Sequence, residues 1–199
     1  MSATAFAIGV GVGAGAVYAM LRGRTLRGGA LTAWNSSHGE YRVRSAVSSD
    51  VGALFRLTYA LADVCKELHE LIEDEAGMRR ALADGMYEAL VIETEGRVIG
   101  MAIFQMSYRT WSGNSIYLQD LIIAENHRGR GLGTLIFQIL SKLALARDCD
   151  RLFWESTADN LKARGFYAGP TIGAAHAEEL LTWKLIGRDQ LAVLASALQ

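Results

Sequence analysis

The pattern of apolar and polar positions alternates between the period of strands and the period of helices from about residue 41 onward. Tyr41 to Ala46 alternates as a short strand. Ser48-Ser49-Asp50 then supplies residues that cap helices, which predicts a helix over about Val51 to Val64. A second, strongly charged helical stretch is predicted at Lys66 to Asp84. Two helices therefore follow the first predicted strand.

The rest of the chain returns to strands. Ala89 to Glu93 is apolar and β-branched, and Arg97 to Met106 resumes as a strand after a turn at Glu95-Gly96, which predicts a hairpin. A strand, a long amphipathic helix, a short strand, a helix and a closing strand are predicted next, at Ser115–Ala124, Gly133–Arg147, Arg151–Glu155, Asn160–Ala168 and Leu180–Ile186. This order predicts an α/β domain with one mixed central sheet flanked by helices.

The first forty residues do not fit this pattern. Thr4 to Leu21 is an uncharged run near the lower length limit for a helix that crosses a bilayer. Three arginines follow it, with no acidic residue before Glu40. A membrane anchor with the domain in the cytosol, a mitochondrial presequence and an idle tail on a cytoplasmic protein all stay open. We expect an apolar N-terminal helix in an anchor or targeting segment at residues 1–28, a linker at 29–40 and a domain at 41–199.

Composition narrows the classes of partner and cofactor. The formal net charge of −1 gives no global attraction to nucleic acid, so no nucleic-acid partner is expected. Cys65 and Cys149 have no C-x-x-C spacing, and the four histidines form no H-x-x-x-H pair. A metal site would therefore need ligands scattered through the fold, and no metal is expected.

The most informative segment is Tyr117 to Thr134, YLQDLIIAENHRGRGLGT, in which a strand leads through a glycine-rich turn into a long helix. Gly129, Gly131 and Gly133 have no side chains, so consecutive backbone N–H groups at the helix start can converge on a pyrophosphate. Two arginines add positive charge beside them. RGRGLGT has neither the Lys-Ser/Thr of a P-loop nor the glycine spacing of a Rossmann turn.

This turn resembles the acetyl-CoA signature of the GNAT acyltransferase superfamily. Ser107 to Asp120, SYRTWSGNSIYLQD, is similar to the diamine (spermidine/spermine) N-acetyltransferase branch, in which Trp, Gly and a Tyr-Leu-acid-acid tetrad occupy the same offsets. Asn160 precedes Phe166 and Tyr167 at the family's spacing of an asparagine that faces the pantetheine arm and a tyrosine that faces the thiolate. The resemblance extends from about Arg42 to Leu194.

The resemblance implies an enzyme that transfers an acetyl group from acetyl-CoA, its cosubstrate, to a primary amine by direct attack in a ternary complex. Tyr167 is implied as the catalytic proton donor to the CoA sulfur, because a phenol is protonated at neutral pH. Acceptor binding is implied for Trp111, Gln119 and Asp120, and a homodimer is expected. Cofactor binding is implied for three strand residues, the turn with the helix start, and the later helix: Leu121, Ile122, Ile123, Arg128, Gly129, Arg130, Gly131, Leu132, Gly133, Thr134, and Asn160 to Ala163.

Several positions depart from the diamine pattern. Gln119 stands where that branch has its first acid, and a neutral amide cannot act as a general base, so deprotonation would fall to Asp120, ordered water or bulk solvent. Strand alternation places Asp120 on the side opposite Gln119. Arg109 replaces another acid and would repel a polycation, and Pro170 should reshape the loop after Tyr167. Polyamines, amino-acid-like amines and lysine all stay open as acceptors, as does a catalytically weak CoA-binding sensor or scaffold at a membrane.

Overall fold

The computed structural model describes residues 30–36 and 39–177. The chain divides into two compact units, residues 1–161 and 162–199. The predicted N-terminal helix and the predicted closing strand lie outside the described residues and stay predictions. In the part of the chain that is described, no helix is long and apolar enough to cross a membrane.

A mixed sheet organises the first unit, and its six described strands are neighbours in chain order. The first five strands pair antiparallel, and the sixth pairs parallel with the fifth. The strands are β1 (Ala30–Ser36), β2 (Gly39–Ser45), β3 (Glu88–Thr94), β4 (Arg97–Arg109), β5 (Gly113–Ile123) and β6 (Arg151–Trp154). The helices are α1 (Val51–Cys65), α2 (Glu75–Ala83), α3 (Leu132–Ala146) and α4 (Leu161–Ala168). The predicted mixed α/β architecture is confirmed.

The linker predicted at residues 29–40 is wrong as a description of its backbone. Residues Ala30–Ser36 form β1, which pairs antiparallel with β2 from Ala30 opposite Arg44 to Ser36 opposite Gly39. The segment has no sustained alternation, which is why it resembles a linker in sequence. Pairing with β2 nevertheless satisfies its backbone groups, and the context of a neighbouring strand outweighs weak strand propensity.

The long helix predicted at Lys66 to Asp84 is also wrong in its first half. Lys66 takes a left-handed conformation with φ of 62°, which ends α1, and a short 3-10 turn follows at Leu68–Glu70. α2 begins only after Asp74, whose carboxylate accepts a hydrogen bond of 2.7 Å from the N–H of Gly77. An aspartate in this role stabilises a helix start. The charged composition of the segment therefore conceals an interruption between two helices.

Helices cover both faces of the sheet. On one face, α1 and α2 pack against alternate residues of the central strands in a core that includes Leu54, Met78, Val91, Met101, Ile103 and Ile122. On the other face lies α3, where Phe137 meets Trp154 of β6 with ring centroids 4.8 Å apart. Neighbouring residues of a strand point to opposite faces, so β3 is buried on both sides from Glu88 to Ile92.

A buried ion pair joins β3 to the end of α3. Arg147 donates hydrogen bonds of 2.5 and 2.9 Å to the two carboxylate oxygens of Glu88, and the side chains are only 4% and 8% exposed. Because Glu88→Ala would leave a guanidinium buried without its carboxylate, we expect a loss of about 3–5 kcal/mol in the free energy of unfolding. Chemical denaturation measures this loss.

The pair Arg79–Glu75 is a matched control. Its side chains are 44% and 47% exposed, and Nη2 of Arg79 lies 2.6 Å from Oε1 of Glu75. Glu75→Ala should cost about 1 kcal/mol or less. Similar losses for the two variants would mean that burial of the Arg147 pair does not determine its contribution.

Candidate active site

A β-bulge interrupts β5 at Gln119. Asp120 pairs with Ile103, whereas the next residue of β4, Phe104, pairs with Leu118, so Gln119 is the extra residue. Tyr117 pairs with Gln105, two positions from Ile103, and therefore lies on the same face of the sheet as Asp120. The regular alternation expected from the sequence breaks here. Asp120 takes the face that regular alternation would have given to Gln119.

Asp120 is a carboxylate in an unusual environment. It lies on the face of the sheet that α1 covers, and burial raises its pKa to about 6. Within the described residues its side chain has no hydrogen bond or ion pair. General bases work best when their pKa lies near the operating pH, so this carboxylate is suited to accept a proton near neutrality.

Aromatic rings and an arginine extend this face beyond Asp120. The ring centroids of Tyr117 and Phe153 are 4.9 Å apart, and the guanidinium carbon of Arg109 lies 4.5 Å from the centroid of Phe153. Burial and then the charges of Glu155 and Asp120 raise the pKa of the Tyr117 hydroxyl. Sequence reasoning missed Phe153, although its place in a short apolar strand beside YLQD was a usable signal.

A small cavity lies at the end of α1. Its volume is about 170 Å³, and its lining comes from the end of α1 and the segment after β6: Val64, Cys65, Thr157, Asp159 and Asn160. Burial raises the pKa of the Cys65 thiol, and the charges of Glu67, Asp120 and Asp159 raise it further. Asp159 therefore gives this cavity a carboxylate that can attract a cation. A larger open cleft of about 570 Å³ near Asp50 and Arg97 contains none of the predicted site residues.

Trp111 is separated from the other predicted acceptor residues. It lies in the hairpin loop between β4 and β5 and is fully exposed. Gly113 begins β5 and Asp120 lies seven residues further along, or about 23 Å at the usual rise of a strand. The structure therefore groups Gln119 and Asp120 at the bulge but does not bring Trp111 to them.

The last part of β5 lacks a strand neighbour on its β6 side in the described part of the chain. β6 pairs with β5 only from Ser115 to Leu118, so the segment Leu121 to Ile123 extends past the end of β6. Its backbone groups on that side are suited to pair with an extended ligand. The carbonyl of Ile123 accepts a hydrogen bond of 2.8 Å from Nε of Arg128, which links this strand to the glycine-rich turn.

The glycine-rich turn has the backbone geometry that a bound anion needs. Gly129 and Gly131 have φ of 75° and 77°, in the left-handed region that favours glycine. A Cβ at Gly129 would meet no atom within 4 Å, so the space above it is open. Gly131 is the N-cap of α3, and no side chain caps this helix. The first N–H groups of α3, including those of Gly133 and Thr134, are thus suited to a pyrophosphate, whereas the Leu132 side chain is buried.

Arg130 links the glycine-rich turn to β2 and to the segment before the turn. One terminal nitrogen donates to the hydroxyl of Tyr41, and the other donates to the carbonyl of Asn126 at 2.7 Å. The Tyr41 hydroxyl also lies 3.1 Å from Nδ1 of His127, and Tyr41 is fully buried. The sequence suggested only a positive charge at this position. The contact with β2 depends on the tertiary fold and could not be derived from the motif.

The remaining predicted residues lie at and beyond the boundary of the second unit. The N–H of Asn160 donates to the carbonyl of Thr157 at 3.2 Å, just before α4. Ala163 and Tyr167 belong to α4, where the ring centroids of Tyr167 and Phe166 are 5.5 Å apart. The Tyr167 carbonyl accepts a hydrogen bond of 2.9 Å from the N–H of Ala174. The roles assigned to these three residues stay predictions. Among residues 30–36 and 39–177, no group of side chains could hold a metal ion.

Comparison with known proteins identifies the class. Residues 55–169 match the model of the acetyltransferase (GNAT) family, and the chain belongs to this family. Mouse thialysine N-epsilon-acetyltransferase is 31% identical over 138 residues, which cover 60% of this chain and 79% of the mouse protein. The Bos taurus protein of the same name is 29% identical over 154 residues, with coverage of 71% and 88%. Human spermidine/spermine N(1)-acetyltransferase-like protein 1 is 24% identical over 120 residues, 55% of this chain and 17% of that protein.

These relatives confirm the predicted resemblance to the diamine acetyltransferase branch and show an acetyl-transferring enzyme. Solved structures agree in fold. An aminoglycoside acetyltransferase from an uncultured soil metagenomic sample superposes with a TM-score of 0.63 at 15% identity, covering 73% of this chain and 97% of that one. Ribosomal-protein-alanine N-acetyltransferase from Brucella melitensis biovar Abortus 2308 superposes with a TM-score of 0.61 at 19% identity, covering 74% of this chain and 99% of that one.

Proposed function

We propose that this enzyme transfers the acetyl group of acetyl-CoA to the primary amine of a small molecule, with Asp120 as the general base. The observation that carries the proposal is the partly buried carboxylate of Asp120 at the bulge of β5, whose pKa is raised to about 6. Gln119 cannot accept the proton, so Asp120 takes the role of general base.

The chain's own groups divide the work of binding the cosubstrate. The free edge of β5 at Leu121 and Ile122 pairs with an extended arm, and the N–H groups from Gly131 to Thr134 hold the pyrophosphate. Arg128 adds positive charge beside the turn, while Arg130 orients the turn through Tyr41. Asn160 and Ala163 complete the set proposed to contact the arm. Bound acetyl-CoA supplies the acetyl thioester and a thiolate leaving group.

The acceptor amine needs to lose a proton during the reaction. An alkylammonium group is protonated at neutral pH, and the negative charges of Asp120 and Asp159 attract it. An ammonium nitrogen has no lone pair, so it first loses one proton to solvent and becomes a neutral amine. As this nitrogen bonds to the acetyl carbon and the carbon–sulfur bond breaks, it becomes acidic enough for Asp120 to accept its second proton. Tyr167 donates a proton to the departing sulfur, which leaves a neutral amide and free CoA thiol.

The names of the relatives support a small amine as acceptor, because they specify thialysine and spermidine or spermine. The small size of the cavity beside Asp159 fits the same class. We also propose a homodimer, and targeting to a membrane or to mitochondria by residues 1–28. Fractionation of a reporter fused to residues 1–28 tests the targeting, and a diffuse cytosolic reporter would contradict it.

The enzyme should release CoA thiol in the presence of acetyl-CoA and small primary amines. Tyr167→Phe should lower kcat by about 100-fold while the Kd for acetyl-CoA changes little, because a general acid acts mainly in the transition state. Thiol release measures kcat, and calorimetry measures Kd. Tyr59→Phe, at an exposed tyrosine of α1, is the matched control and should be unaffected. Acetyl-CoA binding without turnover of any amine would favour the sensor or scaffold instead.

A further inference from the structure

One face of the sheet carries a cation and a carboxylate on either side of two aromatic rings. Arg109, at the end of β4, places its guanidinium over Phe153 at 4.5 Å, and Phe153 packs on Tyr117 at 4.9 Å. Phe153 and Tyr117 are directly paired residues of β6 and β5. Asp120 follows on the same face because of the bulge.

Strand register gives the spacing between Asp120 and Phe153, the residue beneath the Arg109 guanidinium. Asp120 and Tyr117 pair with Ile103 and Gln105, two positions apart on β4, which corresponds to about 7 Å along the strand. Phe153, beneath the guanidinium, lies one strand further, or about 5 Å across. The Cα positions of Phe153 and Asp120 are thus about 9 Å apart in the plane of the sheet. One small molecule can contact both the guanidinium and the carboxylate.

Arg109 is well placed to bind an anion. Its guanidinium carbon lies over the ring of Phe153, and the N–H groups that point away from the ring are available for hydrogen bonds. No carboxylate of the described residues forms an ion pair with it. The ring restricts the arginine side chain, which lowers the entropy lost when a ligand carboxylate binds through two hydrogen bonds. The same cation repels a second ammonium group on an acceptor.

Resting on the proposed function, we propose that Arg109 determines specificity by binding the carboxylate of an amino-acid acceptor whose side-chain amine lies at Asp120. The acceptor class is then an amino acid with a side-chain primary amine. A diamine of the same length is disfavoured, because its second ammonium group meets Arg109. Arg109 binds substrate through charge and takes no part in proton transfer.

Two pairs of acceptors that differ only in the carboxylate test this inference: L-lysine with 1,5-diaminopentane, and L-ornithine with 1,4-diaminobutane. The full-length enzyme should show a higher kcat/KM for each amino acid than for its diamine. Arg109→Gln should lower kcat/KM for the amino acids about three- to tenfold, mainly through KM, because a charge-assisted contact at an exposed site is lost. The kcat/KM for the diamines should stay the same or rise. Combining Gln119→Glu with Arg109→Asp should raise the kcat/KM for the diamines further.

Arg97→Gln is the matched control, since this exposed arginine lies at the other end of β4. It should leave both members of each pair unchanged. Equal losses for amino acids and diamines in Arg109→Gln would indicate a structural role and overturn the inference. Amine acetylation that shows no preference and no dependence on Arg109 would overturn it while the proposed function stands. Failure to acetylate any amine would overturn the proposed function as well.

Discussion

Asp120→Asn is expected to lower kcat/KM for amine acceptors by about 100-fold or more, since a positioned general base contributes that much or more to rate. Activity of the native enzyme should rise with pH through about 6, where Asp120 becomes the carboxylate that accepts a proton. The variant should lose this acidic limb of the profile. Initial rates between pH 5 and 8 measure both effects, with Asp150→Asn, at an exposed residue before β6, as the matched control.

The same substitution should raise stability. Burial raises the pKa of Asp120 from 3.8 to about 6, so folding favours its protonated form. The contribution of the protonated Asp120 side chain to the free energy of unfolding is fully present below pH 3.8 and is lost as the pH rises through about 6. At pH 7 Asp120→Asn should therefore raise the free energy of unfolding by about 1–3 kcal/mol, and at pH 4 it should change little. If Asp120→Asn keeps the acidic limb of the pH–rate profile, Asp120 is not the general base.

Gly131→Val is expected to abolish the stabilisation that acetyl-CoA gives to the native chain. Ligand at about 100 times its Kd adds about 2.7 kcal/mol of stability, which corresponds to a rise of about 5–10 °C in Tm. Gly131 is the N-cap of α3 with φ of 77°, a conformation that a β-branched residue adopts only with strain. The new side chain would also enter the space proposed for the pyrophosphate. Thermal unfolding with and without acetyl-CoA measures the shift.

Gly85→Val separates backbone strain from loss of the site. Gly85 has φ of 69°, and a Cβ there would meet no atom within 4 Å. Gly85→Val should lower the Tm of the unliganded chain through backbone strain, as Gly131→Val does. It should keep the full rise in Tm with acetyl-CoA. Persistence of the shift in Gly131→Val would show that the cofactor binds elsewhere.

The sequence predicted most of the elements because their patterns are local. The helix at Val51–Cys65, the β3–β4 hairpin and the strand leading through a glycine-rich turn into α3 all follow from periodicity and turn residues. The left-handed φ values of Gly129 and Gly131 agree with the reason given for glycine at those positions.

The features that were missed depend on partners distant in sequence. YLQDLII contains no glycine or proline to mark a bulge, and the extra residue at Gln119 appears only through the pairing of β5 with β4. The direction of Arg130 depends on Tyr41, which is 89 residues away. β1 has no alternation of its own and becomes a strand because β2 provides a partner. The sequence motif therefore identifies the cofactor turn but not the distant residues that orient it.

The contact between Tyr41 and Arg130 sets a practical limit on how this enzyme can be shortened. The family match begins at residue 55, whereas the tyrosine that supports the cofactor turn lies on β2. A recombinant fragment limited to the matched region would lose that support. Cutting at residue 41, where the sequence pattern begins, would remove β1 and convert β2 into an open edge strand, a common site of aggregation. Expression trials should therefore retain the residues from Ala30 onward.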